Sequence, residues 1–311
     1  MLPRLRSPIP LLVVVGPTAS GKTALALRLA EVHNAEVITC DALQVRAGLP
    51  LLTAKPTVDE QMRVPHHLVG VFPTDQPATA AAYAELADQA ILKLHKEGKN
   101  AILCGGTGLY LRAVCEGLVA TPPSNPVWRS ELSKKAHKIG VEALHAELQQ
   151  VDPDTAARLG KTDYVRIERA LEVCALTGKP LSVWHKEHQA ERVRGPRYRS
   201  VRIGLDPGSP ETRDRIAARV EKWLEEGLLE EVRLHLEHAG EMRFPPIGFA
   251  QVARFLRTET TREAMIAEIV QKTAQYARRQ RTWFRAEKDI SWYRDEKQVP
   301  QKEYLSAAPN T

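Results

Sequence analysis

Residues 16–23 carry the pattern of a phosphate-binding loop and read Gly-Pro-Thr-Ala-Ser-Gly-Lys-Thr. Gly16 and Gly21 let the backbone turn tightly, so that successive N–H groups point inward at an anion. Lys22 adds a positive charge, the hydroxyl of Thr23 is placed to ligate Mg²⁺, and the helix that follows directs its positive end at the same anion. We therefore predict a site for a polyphosphate or diphosphate group. The candidate residues are Gly16, Pro17, Thr18, Ala19, Ser20, Gly21, Lys22 and Thr23.

Two further polar side chains follow predicted strands. Asp41 comes after the apolar segment 37–40, where it could act as a general base, as a Mg²⁺ ligand or as the cap of a turn. Thr107 follows Gly105 and Gly106 at the start of a predicted helix, where it could contact a substrate or cap that helix. No acidic residue directly follows this strand, although ATP-hydrolysing proteins of this class hold Mg²⁺ with one. The pattern disfavours a motor or regulatory NTPase, and less strongly a small-molecule kinase.

Arginines cluster in two places. Arg166 and Arg169 are one helical turn apart and share a face. The segment 276–285 interleaves four arginines with three aromatic residues. Arginine pairs with phosphates and aromatic rings stack on exposed bases, although a solvated helix face explains any one of these arginines equally well. Together with the phosphate-binding loop, the clusters favour a polyanionic partner.

These residues need a scaffold, and residues 11–120 alternate short apolar segments with helical patterns. We predict strands at 11–15, 36–40 and 100–104, helices at 22–33, 79–97 and 107–116, and a loop through 41–66. This alternation is typical of a parallel sheet covered by helices on both faces. The predicted fold is therefore α/β and similar to that of P-loop NTPases.

The pattern changes after residue 126. Residues 127–190 read as consecutive polar helices, 199–205 as a returning strand, 291–294 as a last short strand, and the segment from Pro300 as a frayed tail. The predicted organisation is a first core segment at 1–123, an all-helical insertion at 124–197, and a core completion with helical C-terminal part at 198–311.

Composition is that of an ordinary globular protein. The 311 residues include 44 Lys and Arg against 38 Asp and Glu, a net charge of +6 that permits nucleic-acid binding without showing it. The histidine pairs at 66–67 and 235/238 lack partners at a metal-binding spacing, so we assign them no metal site. The cysteines are isolated from one another, which favours a reducing cytoplasm. They are Cys40, Cys104, Cys115 and Cys174.

The N-terminus has some likeness to a signal peptide, since Arg4 and Arg6 precede an apolar run at 9–15. The run is short and leads directly into the phosphate-binding loop, so we interpret it as the first buried strand. No segment approaches the roughly 20 apolar residues of a membrane span, and we expect no membrane partner.

A series of motifs along the chain resembles the tRNA dimethylallyltransferases, in the order that this family has them. The motifs are Gly16–Thr23, Asp41–Val45, Thr53–Pro56, His66–Leu68, Gly105–Tyr110, Arg166–Val173 and Arg279–Arg285. The resemblance covers residues 12–294.

The resemblance implies transfer of a dimethylallyl group from its diphosphate to N6 of the adenosine just 3′ of the anticodon (position 37), in tRNAs that read codons beginning with U. The loop would hold the leaving diphosphate with Mg²⁺ at Thr23, Asp41 would accept a proton from the adenine amine, and Thr107 would hold that amine. The insertion would grip the anticodon stem-loop. The implied tRNA contacts are Asp41, Ala42, Leu43, Gln44, Thr107, Arg129, Val165, Arg166, Ile167, Glu168 and Arg169.

Two residues depart from the family pattern: Ala42 stands where Ser is common, and Arg46 where Tyr is common. The zinc finger of some eukaryotic relatives is not in this sequence, so we expect a bacterial-type enzyme, with a monomer as the working assumption. Three other hypotheses stay open: a transferase that prenylates free adenine nucleotides, a small-molecule P-loop kinase, and a non-catalytic RNA-binding protein.

Overall fold

A computed structural model describes residues 8–74, 76–192, 197–242, 244–300 and 304–305, with backbone alone at 191–192. The arginines at positions 4 and 6 lie outside the described residues. Contacts divide the chain into two compact units, one formed by 1–115 with 197–311 and the other by 116–196. The domain boundaries predicted from the sequence, at 123/124 and 197/198, stay a proposal.

The first unit is built on a six-stranded sheet in which every pairing is parallel. Its strand order is β3-β2-β4-β1-β5-β6. The strands are β1 (Ile9–Val15), β2 (Ala35–Thr39), β3 (His66–His67), β4 (Asn100–Gly105), β5 (Tyr198–Leu205) and β6 (Ile290–Tyr293). The predicted parallel α/β fold is confirmed. The carboxyl ends of β1, β2 and β4 lie at one edge of this sheet, which is where such folds bind ligands.

Helices cover the sheet because its strands are apolar on both faces. Leu12 and Val14 of β1 pack in one cluster with Leu25 and Leu29 of the first helix, and alternation along the strand points their neighbours to the other face. The hydroxyl of Tyr83 donates to the carbonyl of Thr39, the last residue of β2, at 2.9 Å. The helices between the first strands are α1 (Lys22–His33), α2 (Val58–Arg63), α3 (Ala80–Lys96) and α4 (Gly108–Glu116).

The second unit consists of helices among its described residues, as predicted for the insertion. They are α5 (Pro126–Ile139), α6 (Val141–Val151), α7 (Pro153–Ala156), α8 (Tyr164–Thr177) and α9 (Leu181–Arg192). A compact core of Leu132, Leu144, Leu148 and Ile167 holds them together.

The C-terminal part of the first unit adds four helices with a core of their own. They are α10 (Ser209–Glu225), α11 (Leu228–Ala239), α12 (Phe249–Leu256) and α13 (Arg262–Arg285). Their apolar faces enclose Ile216, Phe249 and Ile269, and the cluster also takes in Leu49 and Leu52 from the segment after β2. A 3₁₀ helix at Glu296–Gln298 follows β6.

One expectation from the sequence is wrong. The predicted loop at 41–66 contains α2, whose capping box between Thr57 and Glu60 is a helix-start signal, although the helix buries no side chain that would reveal a periodic pattern. The predicted frayed tail lies mostly outside the described residues, and within it Leu305 is 6% exposed in the core cluster that includes α1. In the described part of the chain, no helix is long and apolar enough to cross a membrane.

Candidate active site

The phosphate-binding loop leaves β1 and curls back above α1. Gly16 has φ of 151°, and a Cβ there would lie 2.2 Å from the carbonyl oxygen of Leu205, so β5 leaves room for glycine alone. Gly21 has φ of 92° and precedes α1 without any side chain to cap it. The amides of the first helical turn are therefore available to an anion.

Lys22 is folded over this loop. Its ammonium donates to the carbonyl of Pro17 at 2.8 Å. Burial lowers the pKa of Lys22, while the nearby Asp41 favours its charged form and Arg219 opposes it. A cation held in a desolvated place interacts strongly with a bound anion.

Asp41 and Thr107 are brought side by side at the carboxyl ends of β2 and β4. The Cys40 amide donates to the Cys104 carbonyl at 2.7 Å, and the Thr107 amide donates to the Cys40 carbonyl at 3.1 Å. The Thr107 hydroxyl accepts the N–H of Ala42 at 2.8 Å. Asp41 Oδ1 accepts the N–H of Leu43 at 2.9 Å, which leaves the second carboxylate oxygen for another proton.

Gly105, the last residue of β4, and Gly106 leave little room for a Cβ. A Cβ on Gly105 would lie 2.0 Å from the Cys40 carbonyl oxygen. A Cβ on Gly106 would lie 2.2 Å from Nε2 of Gln280 and 3.4 Å from Oδ2 of Asp41. The close approach of the ends of β2 and β4 thus depends on Gly105, whereas a Cβ at Gly106 would displace the side chain of Gln280.

Arg219 on α10 is a site residue that the sequence did not reveal. Its Nη2 donates to the Thr18 hydroxyl at 3.0 Å, and the guanidinium lies 4.8 Å from the ring of Trp223. Desolvation lowers its pKa to about 10, and Asp41 works in the opposite direction. Its Nε is buried without a hydrogen-bond partner. A desolvated guanidinium with a free donor beside the loop suits a doubly charged anion.

Gln280 and Tyr276 on α13 also reach the site. Gln280 accepts the Thr18 N–H at 2.8 Å and donates to the Gly106 carbonyl at 2.9 Å, so it joins the phosphate-binding loop to the end of β4. Burial, with the charge of Asp41, raises the pKa of Tyr276, and the nearby side chains of Thr107 and Gln280 oppose that rise. The sequence points to Tyr276 and Gln280 only indirectly, because it is the arginines of 276–285 that make this segment stand out.

The interleaved arginines and aromatic rings of 276–285 favoured a polyanionic partner, but Arg281 and Phe284 are not available to one. Arg281 is 6% exposed and its Nε donates to both carboxylate oxygens of Asp206, at 2.9 and 2.8 Å. Phe284 is fully buried. A 24-residue helix that packs along the unit must bury one face, and these residues lie on that face.

In the helical unit, two arginines predicted to contact RNA are held by one buried carboxylate. Arg129 donates to both oxygens of Glu172 at 2.9 and 2.7 Å, and Arg169 pairs with the same carboxylate and with the Thr121 hydroxyl. Glu172 also accepts the Asn125 N–H at 2.8 Å. Burial opposes ionisation, yet these donors outweigh it and lower the pKa of Glu172 to about 2.

The segment 165–168 divides between surface and core. Val165 is 71% exposed, and the Arg166 side chain is 65% exposed with Asp163 at 3.3 Å. Ile167 is fully buried, and Glu168 accepts the Tyr164 hydroxyl at 2.8 Å beside Arg129. Any direct RNA contact from this segment therefore comes from Val165 and Arg166, while Ile167 and Glu168 shape the unit from within.

The fold and the site define the class: a P-loop α/β protein with an anion-binding loop after its first strand and a carboxylate at the end of the next. Residues 44–287 match the IPP transferase family. Over 90% of this chain, a tRNA dimethylallyltransferase of Geobacter metallireducens is 42% identical, with 91% of that protein covered. One of Pelobacter propionicus shows the same identity and coverage.

Solved structures agree with these relatives. A tRNA isopentenylpyrophosphate transferase of Bacillus halodurans has a TM-score of 0.65 at 34% identity and covers 92% of this chain and 90% of its own. A eukaryotic dimethylallyltransferase acting on tRNA shares the fold with a TM-score of 0.75 at 24% identity, covering 93% of this chain and 75% of its own. The chain belongs to the IPP transferase family of prenyltransferases.

The Glu172 cluster makes the stability of the protein depend on pH. Because the pKa of Glu172 falls from 4.5 to about 2 on folding, its stabilisation is complete above pH 4.5 and is lost as the pH falls towards 2. The shift corresponds to about 3 kcal/mol. Denaturant unfolding of wild type and Glu172→Gln should show a stability difference that narrows from pH 6 to pH 3. The exposed Glu142→Gln in the same unit is the control, and a difference independent of pH would mean that the charge of Glu172 does not stabilise the unit.

Arg219 should strengthen anion binding at the loop. Replacing it with glutamine removes a charge-assisted donor, and we expect the affinity for inorganic diphosphate to fall by about tenfold. Isothermal titration calorimetry measures this directly. Arg213→Gln, exposed on the same helix, should bind as wild type. Equal affinities in both variants would remove Arg219 from the diphosphate site.

Proposed function

We propose that this protein transfers the dimethylallyl group of dimethylallyl diphosphate to N6 of the adenosine directly 3′ of the anticodon, in tRNAs that read codons beginning with U. The observation that carries the proposal is the pair Asp41 and Thr107, placed side by side at the sheet edge that also holds the phosphate-binding loop. The names of the relatives in the family support the choice of tRNA and of the prenyl donor.

The chemistry needs a base, because the lone pair of an adenine amine is delocalised into the ring. In the proposed step a bond forms between N6 and C1 of the dimethylallyl group, the C1–O bond breaks, and its electrons leave with the diphosphate. The N6 proton passes to the free carboxylate oxygen of Asp41, and the Thr107 hydroxyl orients the amine. A positioned base of this kind typically contributes about 10²–10⁴-fold.

The oxygens of the leaving diphosphate gain negative charge as the C1–O bond breaks, and positive groups must lie close to them. Lys22, Arg219 and the amides of residues 19–23 supply this positive charge from a preorganised loop. Because Arg219 and Asp41 attract each other across the site, the loop and the base form one electrostatic unit. This arrangement supports holding a diphosphate intact beside a nucleophile.

Mg²⁺ is the cofactor we propose. Among the described residues, no group of three or more His, Cys, Asp or Glu side chains could cage a metal ion. The Thr23 hydroxyl at the start of α1 suits an ion that takes its remaining ligands from diphosphate oxygens and water, as Mg²⁺ commonly does. When bound, the ion would neutralise charge on the diphosphate.

The tRNA would contact the protein at two places. One is the segment 41–44, which contains the proposed general base Asp41, and the other is the exposed pair Val165 and Arg166 of the helical unit. Extruding the target adenosine from the anticodon-loop stack costs a few kcal/mol, and phosphate contacts can offset that cost. Arg129 is held by Glu172 and reaches solvent with a third of its side chain, so it can present a fixed donor. A monomeric state and a cytoplasmic location stay predictions.

The decisive experiment offers labelled dimethylallyl diphosphate to unmodified tRNA with an adenosine run beside the anticodon, and to free AMP in parallel. Label on tRNA alone supports the proposal. Label on AMP identifies a nucleotide-prenylating enzyme, whereas ATP consumption without label transfer identifies a kinase.

Asp41→Asn keeps the acceptor for the Leu43 amide but removes the base. We expect turnover to fall by at least about 10²-fold with tRNA affinity kept within a few-fold. Single-turnover transfer and filter binding measure the two quantities. Asp59→Asn, on the exposed face of α2, is the matched control, and near-normal turnover in the Asp41 variant would exclude Asp41 as the base.

Arg166 is the exposed cation of the cluster at 166–169, so Arg166→Ala should weaken tRNA binding at low salt. The slope of log K against log [salt] should become less negative by about one. Fluorescence anisotropy at several salt concentrations gives the slope. Arg63→Ala in the other unit is the control. An unchanged slope would mean that Arg166 makes no phosphate contact.

A further inference from the structure

The turn at residues 49–55, which follows the base-bearing segment 41–44, has an unusual anchor. Thr53 N–H bonds to the Leu49 carbonyl at 3.1 Å, as in one isolated helical turn, and Lys55 N–H closes the turn on the Pro50 carbonyl at 3.0 Å, as at a helix C-terminus. The N–H groups of Leu51 and Leu52 at the start of such a turn need an outside acceptor. Glu231 of α11 provides it, with Oε1 at 2.8 Å from the first amide and Oε2 at 3.1 Å from the second.

The turn needs this anchor because its backbone is strained. Leu49 has φ of 46° and Ala54 has φ of 51°, both in the left-handed region that residues with a Cβ disfavour. Leu49 and Leu52 are buried against α10–α13, which fixes where the turn lies, and the carboxylate fixes how its amides point. Burial raises the pKa of Glu231, and the two amides and Lys55 oppose that effect. The carboxylate is thus committed to the turn.

From the turn, hydrogen bonds lead back to the site. The side-chain amide of Gln44 donates to the backbone carbonyl of Ala54, and the backbone carbonyl of Gln44 accepts the Gly70 N–H at 2.9 Å. Lys55 Nζ donates to the Gly48 carbonyl at 2.8 Å. Gln44 is three residues from Asp41 and belongs to the segment proposed to receive the target adenosine.

We propose that Glu231 is a positioning residue: it sets the turn at 49–55 and, through Ala54 and Gln44, the shape of the segment that receives the adenosine. The inference rests on the proposed function, because that function makes 41–44 an RNA-binding segment. Glu231 acts on the recognition of RNA, since its two hydrogen bonds are made to the turn and not to the phosphate-binding loop.

Glu231→Gln tests the inference, because glutamine has one acceptor oxygen for two amides and no charge. We expect the KM for tRNA to rise by about tenfold, the loss of one charge-assisted hydrogen bond, with kcat and the affinity for inorganic diphosphate within about twofold of wild type. Glu231→Asp, which keeps the carboxylate on a shorter chain, should fall between wild type and Glu231→Gln. Glu230→Gln, exposed on the same helix, should match wild type.

Hydrogen exchange of the wild-type protein and the variants provides a second readout that does not need turnover. The amides of Leu51 and Leu52 should be protected in wild type and exchange faster in Glu231→Gln, whereas a peptide covering 16–23 should not change. Unprotected amides in wild type would overturn the anchor, whether or not a variant folds. A loosened turn with an unchanged KM for tRNA, or an equal loss of tRNA and diphosphate affinity, would overturn the positioning role. If wild type transfers nothing to tRNA, the proposed function fails while the exchange measurement still decides whether Glu231 holds the turn.

Discussion

The approach of the ends of β2 and β4 is the constraint on which the rest of the site depends. The backbone of Cys40 bonds in both directions across this gap, to Cys104 and to Thr107, and only glycine at position 105 allows the distance. That contact sets Asp41 beside Thr107 and opens the space that Gln280 enters. A side chain at 105 would push apart two central strands, because close-packed interiors do not absorb such a volume locally.

The C-terminal helices complete the site and do more than cover the sheet. Gln280 links the phosphate-binding loop to the end of β4 by hydrogen bonds, and Arg219 donates a hydrogen bond to Thr18. Arg281 forms a buried ion pair with Asp206. Removing Asp206 would leave the buried charge of Arg281 without a partner, which would strongly destabilise the folded protein. Keeping that pair in any redesign would preserve the geometry of Gln280, which lies one residue away on the same helix.

Ion pairs also decide which arginines remain available to a polyanion. Glu172 holds Arg129 and Arg169 in defined orientations, whereas Arg166 extends into solvent from the same helix as Arg169. Arg129 and Arg169 are fixed in orientation, which suits contact with an anion in one geometry, whereas the exposed Arg166 suits attraction of an anion at a distance.

The amino-acid sequence is enough to predict the phosphate-binding loop, the parallel α/β core, the helical insertion and the candidate pair Asp41 and Thr107. These features depend on short-range rules, namely glycine conformations, capping and the periodicity of apolar residues. Long-range packing, by contrast, brings Arg219 and Gln280 to the loop, turns Arg281 and Phe284 towards the core, and sets Glu231 against a turn about 180 residues away. These outcomes depend on which side of a helix packs inward and on long-range pairing, and an amphipathic pattern does not say which polar group a distant backbone will meet.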